Sequence, residues 1–340
     1  MVHSAAVGSI GVIGGGSWGT ALGKHLADKG YAVTLWCRRP EAAAEVRETH
    51  QTKRYLPGIE LPRTLVATAD LEAAVRRADV VLAVVPSHTM REVMAAAGPL
   101  LPPGAPIVSC TKGIENGTLM LMAEVLREVL PAEAARRLTY LSGPSFAREV
   151  ALGLPTAVTI AGEVPETARA VQDVFAGPRF RAYVTEDVVG VEVGGALKNV
   201  MAIAAGAADG LGFGHNTIAA LITRGLAEIA RLGAAMGANP LTLAGLAGLG
   251  DLVLTCTGGL SRNRHVGVEL GKGKTIEQVL GDMTQVAEGV KTARAARDLA
   301  RRRGVEMPIT EAVYQILYEG MPVHEAVVRL MAREARAERD

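Results

Sequence analysis

IGVIGGGSWGTA, residues Ile10 to Ala21, decides the fold of this chain. The apolar run Ile10 to Ile13 reads as a buried parallel strand. It breaks at Gly14-Gly15-Gly16, and a helical pattern takes over from Trp18 to Leu26. Gly14, Gly16 and Gly19 fill the G-x-G-x-x-G pattern of a dinucleotide-binding βαβ unit. The first glycine makes the tight turn, the second lets backbone approach a pyrophosphate, and the third lets helix and strand pack closely. The N–H groups and positive end of the helix then favour phosphate. A Gly-rich turn in another α/β protein produces the same pattern, but here a second strand, 32–36, follows on schedule.

Working outward, short β-rich runs alternate with helical stretches up to about residue 186. Further strands are predicted at 80–85, 106–110, 139–142, 157–161 and 181–184, with helical patterns such as 71–77 and 119–129 between them. Strands spaced by helices predict an α/β, doubly wound, mostly parallel sheet of the Rossmann type. Ligands of such sheets bind at the carboxyl ends of the strands. Those ends read Gly14-Gly15-Gly16, Arg38-Arg39, Pro86-Ser87-His88, Thr111-Lys112-Gly113 and Gly143-Pro144-Ser145. From Val188 onward the pattern is helical and rich in Ala, Gly and Leu. The expected division is a dinucleotide-binding domain over 1–187 and an all-helical domain over 188–340, with the active site in the cleft between. Small residues through Gly194–Gly214 predict helices packed unusually close, either within one subunit or across a homodimer interface.

A chain of 340 residues that is 49% hydrophobic has material for two cores. Its 36 basic and 35 acidic residues balance to a net charge of +1, so no nucleic-acid or membrane-surface partner is expected. The run Arg301-Arg302-Arg303 before Gly304 reads as the solvated end of a helix. Cys37, Cys110 and Cys256 lie far apart and form no C-x-x-C pair, which argues for a reducing compartment and against a structural zinc site. The N-terminal residues carry no secretory pattern. No uninterrupted apolar stretch approaches the roughly 18 residues of a membrane span. A soluble, cytoplasmic protein is expected.

Specificity for NAD usually comes from an acidic residue about 20 positions beyond the glycines, on the ribose 2′-hydroxyl. Here the second strand ends Trp36-Cys37-Arg38-Arg39. A guanidinium at that place suits a 2′-phosphate, so NADP(H) is the expected cofactor with NAD(H) tolerated. The other reading is two surface arginines before a helix.

Two lysines stand out. Lys112 follows a buried-looking strand at the mouth of the sheet. Lys198 is the one cation of an otherwise apolar helical stretch, GGALKNVMAIAAG. Burial lowers a lysine toward neutrality, which is what a general base near pH 7 needs; a lysine can also snorkel to the surface. A third cluster, AGLGDLVLTCTGGLSRNRHVG, supplies Asp251, Thr255, Ser261, Arg262, Asn263 and Arg264. Ser-Arg-Asn-Arg before a helix offers donors for an anion, most simply a phosphate; alternatively Ser261 caps the helix and the arginines are solvated. Asp251 either orients a lysine or caps a helix.

At these residues the chain resembles the bacterial NAD(P)-dependent glycerol-3-phosphate dehydrogenases. GGGSWGTA, VVPSH, TKGIE, LSGPSFA, GALKNV, AALITRGLAEI, AGLGDLVLTC and SRNR occur in the family's order between about residues 9 and 330. The resemblance implies a Rossmann domain followed by a helical domain like that of 6-phosphogluconate dehydrogenase. It implies interconversion of sn-glycerol 3-phosphate and dihydroxyacetone phosphate, with Lys198 as proton acceptor and Lys112 near cofactor and substrate. Gly143, Ser145, Asp251, Ser261, Arg262 and Asn263 match substrate-contacting positions. Ser17, Trp18, Arg38, Ala147, Arg262, Val286 and Glu288 match cofactor-contacting ones. Cys110-Thr111 departs from the small residues common before the first lysine, but Lys112 and Gly113 are retained.

Overall fold

The computed structural model describes residues 7–283, 285–334 and 337. Its strands are β1 Ser9–Ile13, β2 Ala32–Trp36, β3 Leu65–Thr68, β4 Val80–Ala83, β5 Ile107–Ser109, β6 Leu138–Ser142, β7 Thr156–Ala161 and β8 Phe180–Thr185. They form one sheet in the order β3-β2-β1-β4-β5-β6-β7-β8. Every neighbouring pair is parallel except β6 with β7. The central strands β4 and β5 are buried along their whole length, as a sheet covered on both faces requires. One face packs Val12, Leu22, Leu35 and Leu82; the other packs Ile13, Val81, Ile107 and Leu126.

The predicted strands are all present, and β3 is one that the sequence did not announce. Its four residues alternate buried Leu65 and Ala67 with exposed Val66 at the sheet edge, too short a run to show a period. The predicted runs 80–85 and 106–110 outlast their ladders because Val85 and Cys110 stay buried in the loops leaving the carboxyl edge. Helix α1, Ser17–Asp28, follows the glycine turn. Helix α2, Met122–Val129, starts later than predicted because Leu119 takes a left-handed φ of 63° and Leu121 pairs with Ile114.

Beyond β8 the described residues contain helices and no strand. Helix α3, Val188–Gly210, begins where the Asp187 carboxylate accepts the Gly190 N–H at 2.8 Å. Packed around it are α4 His215–Ala235, α5 Asp251–Thr257, α6 Arg262–Gly271 and α7 Glu288–Arg302. By length and mean hydropathy, 1.5, α3 could cross a membrane, a property hidden in the sequence because Glu192 and Lys198 interrupt its apolar run. In the fold, 89% of that apolar window is buried inside the protein. The close packing predicted from small residues is present: a Cβ on Gly267 of α6 would lie 2.7 Å from Ala207 N of α3. The small-residue face is thus used within one subunit.

Candidate active site

Parallel strand order turns the loops after β1 to β6 toward one edge of the sheet. The turn after β1 needs its glycines for separate steric reasons. Gly14 has φ 127°, and a Cβ there would lie 2.5 Å from the Val84 carbonyl oxygen. Gly19 would collide with the Gly14 carbonyl, whereas Gly16 faces open space, with nothing within 4 Å of its Cβ position. Gly15, outside the fingerprint, is also required, because a side chain there would strike Cys37. No side chain caps the first turn of α1 and no acidic residue lies in it. Its N–H groups are left for a ligand, so this turn fits the pyrophosphate of a dinucleotide.

The predicted cofactor residues come from several elements. Ser17 Oγ donates to Gln285 Oε1 at 2.8 Å, and Gln285 Nε2 donates to the Arg54 carbonyl at 3.3 Å. Trp18 Nε1 is buried without a protein acceptor. Arg38 and Arg39 are exposed, and neither makes an ion pair among the described residues. Ala147 opens the short helix Ala147–Ala151 after β6, and Val286 is exposed just before α7. Glu288 begins α7 close to Gly113 and Ser87. Burial pushes its carboxyl up to about 7, opposed by Arg262.

The reacting centre is a carboxylate shared by two lysines. Asp251 is 1% exposed. Its Oδ1 accepts Lys198 Nζ at 2.5 Å, and its Oδ2 accepts Lys112 Nζ at 2.5 Å. Lys198 Nζ also lies 3.0 Å from Thr255 Oγ1, and Lys112 Nζ donates to the Gly143 carbonyl at 3.3 Å. These groups come from α3, α5 and the loops after β5 and β6. They meet because glycines let the backbones approach: a Cβ on Gly194 would lie 2.7 Å from the Ala247 carbonyl oxygen. A π-helical turn, Leu246–Gly250, then delivers Asp251 as the first residue of α5. Its side chain is given to the lysines and caps nothing.

Burial pulls Lys198 down to about 8, while Asp251 opposes that shift. Burial alone would raise Asp251, but the two ammonium groups outweigh it and hold the carboxyl below its ordinary value. Lys198 is therefore buried and paired, at 8% exposure, and does not snorkel. Gly143, at φ 139°, sits so close to β7 that a Cβ would lie 2.9 Å from Val158 Cα. Its carbonyl also accepts Ser145 Oγ at 2.9 Å.

The Ser-Arg-Asn-Arg segment divides its roles. Ser261 caps α6 by accepting the Arg264 N–H at 3.2 Å, and Arg264 turns away to Asp209 at 2.8 Å. Asn263 is buried: its Nδ2 donates to Asn199 Oδ1 at 2.8 Å, and its Oδ1 accepts the Gly289 N–H at 2.9 Å. Arg262 remains exposed near Glu288. Ser261 is thus a helix cap and Arg264 is paired rather than solvated, while Arg262 is left exposed. Asn199 and Gln285 were not singled out from sequence. Asn199 adjoins Lys198 in GALKNV and Gln285 adjoins Val286, a predicted cofactor position, so a signal was available for each.

A glycine turn shaped for pyrophosphate beside a buried Lys–Asp–Lys cluster defines a two-domain dehydrogenase of the Rossmann class. Residues 9–168 match the family described as NAD-dependent glycerol-3-phosphate dehydrogenase N-terminus, and residues 187–328 match its C-terminus. The chain therefore belongs to the NAD-dependent glycerol-3-phosphate dehydrogenase family. It is 59% identical over 330 residues to the glycerol-3-phosphate dehydrogenase [NAD(P)+] of Geobacter sulfurreducens, covering 97% of this chain and 98% of the relative. The corresponding protein of Moorella thermoacetica is 54% identical, covering 96% of each. The crystal structure of the Coxiella burnetii glycerol-3-phosphate dehydrogenase superposes with a TM-score of 0.91 at 40% identity, covering 96% of this chain and 99% of that one.

Proposed function

We propose that this protein interconverts sn-glycerol 3-phosphate and dihydroxyacetone phosphate, with Lys198 as the proton-transferring residue. The Asp251 carboxylate shared by Lys198 and Lys112 is the observation that carries this reading. When bound, the nicotinamide supplies hydride transfer to or from C2. In the oxidising direction neutral Lys198 takes the C2 hydroxyl proton. In the reducing direction its ammonium form returns that proton to the alkoxide, while the Lys112 ammonium stabilises the negative charge. Asp251 fixes both amines and is a positioning residue. Ser261 O–H, the Arg262 guanidinium, the second Asn263 amide N–H and the first turn of α6 are assigned to the phosphate. Phosphate binding holds C2 in line and spends substrate affinity on orientation. Gly143 and Ser145 complete the substrate contacts in this assignment.

The proposal extends to cofactor choice, with Arg38 and Arg39 favouring NADP(H) over NAD(H). Residues 1–187 are assigned to the cofactor and 188–340 to most substrate contacts. The physiological role is the supply of glycerol 3-phosphate for glycerophospholipid synthesis in the cytoplasm, by a homodimer.

The test is oxidation of NADPH on adding dihydroxyacetone phosphate, repeated with NADH and with unphosphorylated dihydroxyacetone. Saturable oxidation that requires the phosphate is expected. Lys198→Ala should lose about 10²–10⁴-fold in kcat, the usual contribution of general acid–base help, while still binding NADPH. Near wild-type turnover in that variant would refute the assignment of Lys198.

A further inference from the structure

Beside Lys112 lies a small cavity of about 10 Å³. Its walls include Ser109 of β5, Tyr140 and Ser142 of β6, Glu192 and Gly195 of α3, and Lys112 itself. The hydroxyls of Ser109, Tyr140 and Ser142 are buried and meet no hydrogen-bond partner in the protein. Glu192 accepts one backbone N–H, that of Ala123 in the first turn of α2, at 3.1 and 3.0 Å from its two oxygens. Buried polar groups nearly always find partners. A space of this size holds about one water, which typically makes about three hydrogen bonds.

We propose that Ser109, Tyr140, Ser142 and Glu192 bind one internal water that locks the sheet edge carrying Lys112 to the helix carrying Lys198. This inference rests on the catalytic reading of that lysine pair. The site lies on the seam that sets the pair's spacing. Gly195 stands one turn before Lys198, and a Cβ there would lie 2.8 Å from Ser142 Oγ and 3.5 Å from Lys112 Cγ. Helix and sheet therefore touch at this point with no side chain of α3 between them, and the water supplies the polar link. Water fits the donor set better than a cation does. A lysine forms part of the wall, and burial pushes Glu192 up to about 8, which favours its neutral form, able to donate a hydrogen bond. Lys112, Tyr140, Ser142, Ser109 and Glu192 would then be positioned as one unit.

A high-resolution crystal structure of the full-length protein is expected to contain one water within hydrogen-bonding distance of Tyr140 OH and Ser142 Oγ. The Tyr140→Phe/Ser142→Ala variant, which removes two of its partners, should lose about ten-fold in kcat with unchanged NADPH affinity, the mark of a misplaced catalytic group. Glu192→Gln, which keeps an oxygen for the Ala123 N–H and a donor for the water, should stay near wild type. A cation with short ligand distances, or a cavity without density, would overturn the proposal. Lys198→Ala is measured in parallel. Turnover persisting there overturns the underlying reading of the pair; an inactive Lys198→Ala beside a double variant of wild-type kcat overturns the water site alone.

Discussion

Asp251→Asn tests the reacting centre most directly, because it keeps the shape of the side chain and removes its charge. The wild-type carboxylate neutralises two ammonium groups, each 2.5 Å from one of its oxygens. At an effective dielectric of about 20, a unit charge about 4 Å away is worth roughly 4 kcal/mol, or close to three pKa units at about 1.4 kcal/mol each. That is a ceiling, since water entry and side-chain movement will recover part of it. A downward shift of at least one unit for Lys198 is expected. The sign follows from its place in the folded protein, where its value is about 8 against an ordinary 10.5. Below about 8 wild-type Lys198 is mostly ammonium, so dihydroxyacetone phosphate reduction should hold level and then fall as pH rises through that value. Oxidation of glycerol 3-phosphate should show the opposite limb. In Asp251→Asn both limbs should move to lower pH by about one unit or more, and kcat at neutral pH should drop by about 10²-fold as the amines lose their fixed geometry. The assay is steady-state NADPH oxidation and NADP⁺ reduction across the pH range, with cofactor affinity measured separately by fluorescence. Limbs that stay at the wild-type midpoints would refute the argument that Asp251 sets the charge of Lys198.

Two further outcomes follow from other parts of the molecule. Replacing Arg38 and Arg39 together by Ala should lower kcat/KM for NADPH by about ten-fold or more while sparing NADH, since each charge-assisted phosphate contact is worth about 1.5–3 kcal/mol; an unchanged cofactor ratio would remove the arginines from selection. Gly267→Ala should destabilise the helical half by about 1–3 kcal/mol despite alanine's roughly 1 kcal/mol advantage inside a helix, because the added methyl meets the backbone of α3. Calorimetry should record a lower Tm, and an unchanged or raised Tm would contradict the close approach at Ala207.

The parts of this molecule that were legible in the sequence are those whose physical cause is local. A strand, a glycine turn and a helix start within Ile10–Ala21 each announce themselves through neighbours a few residues apart. The same holds for the alternation that gives the sheet and for the apolar setting of Lys198. Strand β3 escaped because four residues at a sheet edge bury only one face. Asp251 could be recognised as polar and conspicuous in a Gly-rich turn, but its role could not be chosen from the turn alone. Its partners lie 53 and 139 residues away. What joins them is the packing of Gly194 against Ala247 and the π-helical turn that rotates Asp251 inward.

Ser261 to Arg264 make the same point in reverse. Four polar residues in a row look like one anion site, yet helix geometry sends them in different directions. Ser261 is taken by the cap and Arg264 by Asp209, while Asn263 is held between Asn199 and Gly289, 64 and 26 residues away. The orientation of Asn263 is thus set by helices α3 and α7 rather than by its own segment. On the proposed assignment of Asn263 to the phosphate, a substitution at Asn199 would act on substrate binding without touching the phosphate. Asn199→Ala should therefore raise KM for dihydroxyacetone phosphate several-fold while leaving NADPH affinity unchanged, because it leaves the Asn263 amide with one fewer fixed partner; the loss of one such bond is worth about 1 kcal/mol, or roughly five-fold. An unaltered KM would mean that the Gly289 N–H alone suffices to hold Asn263 in place.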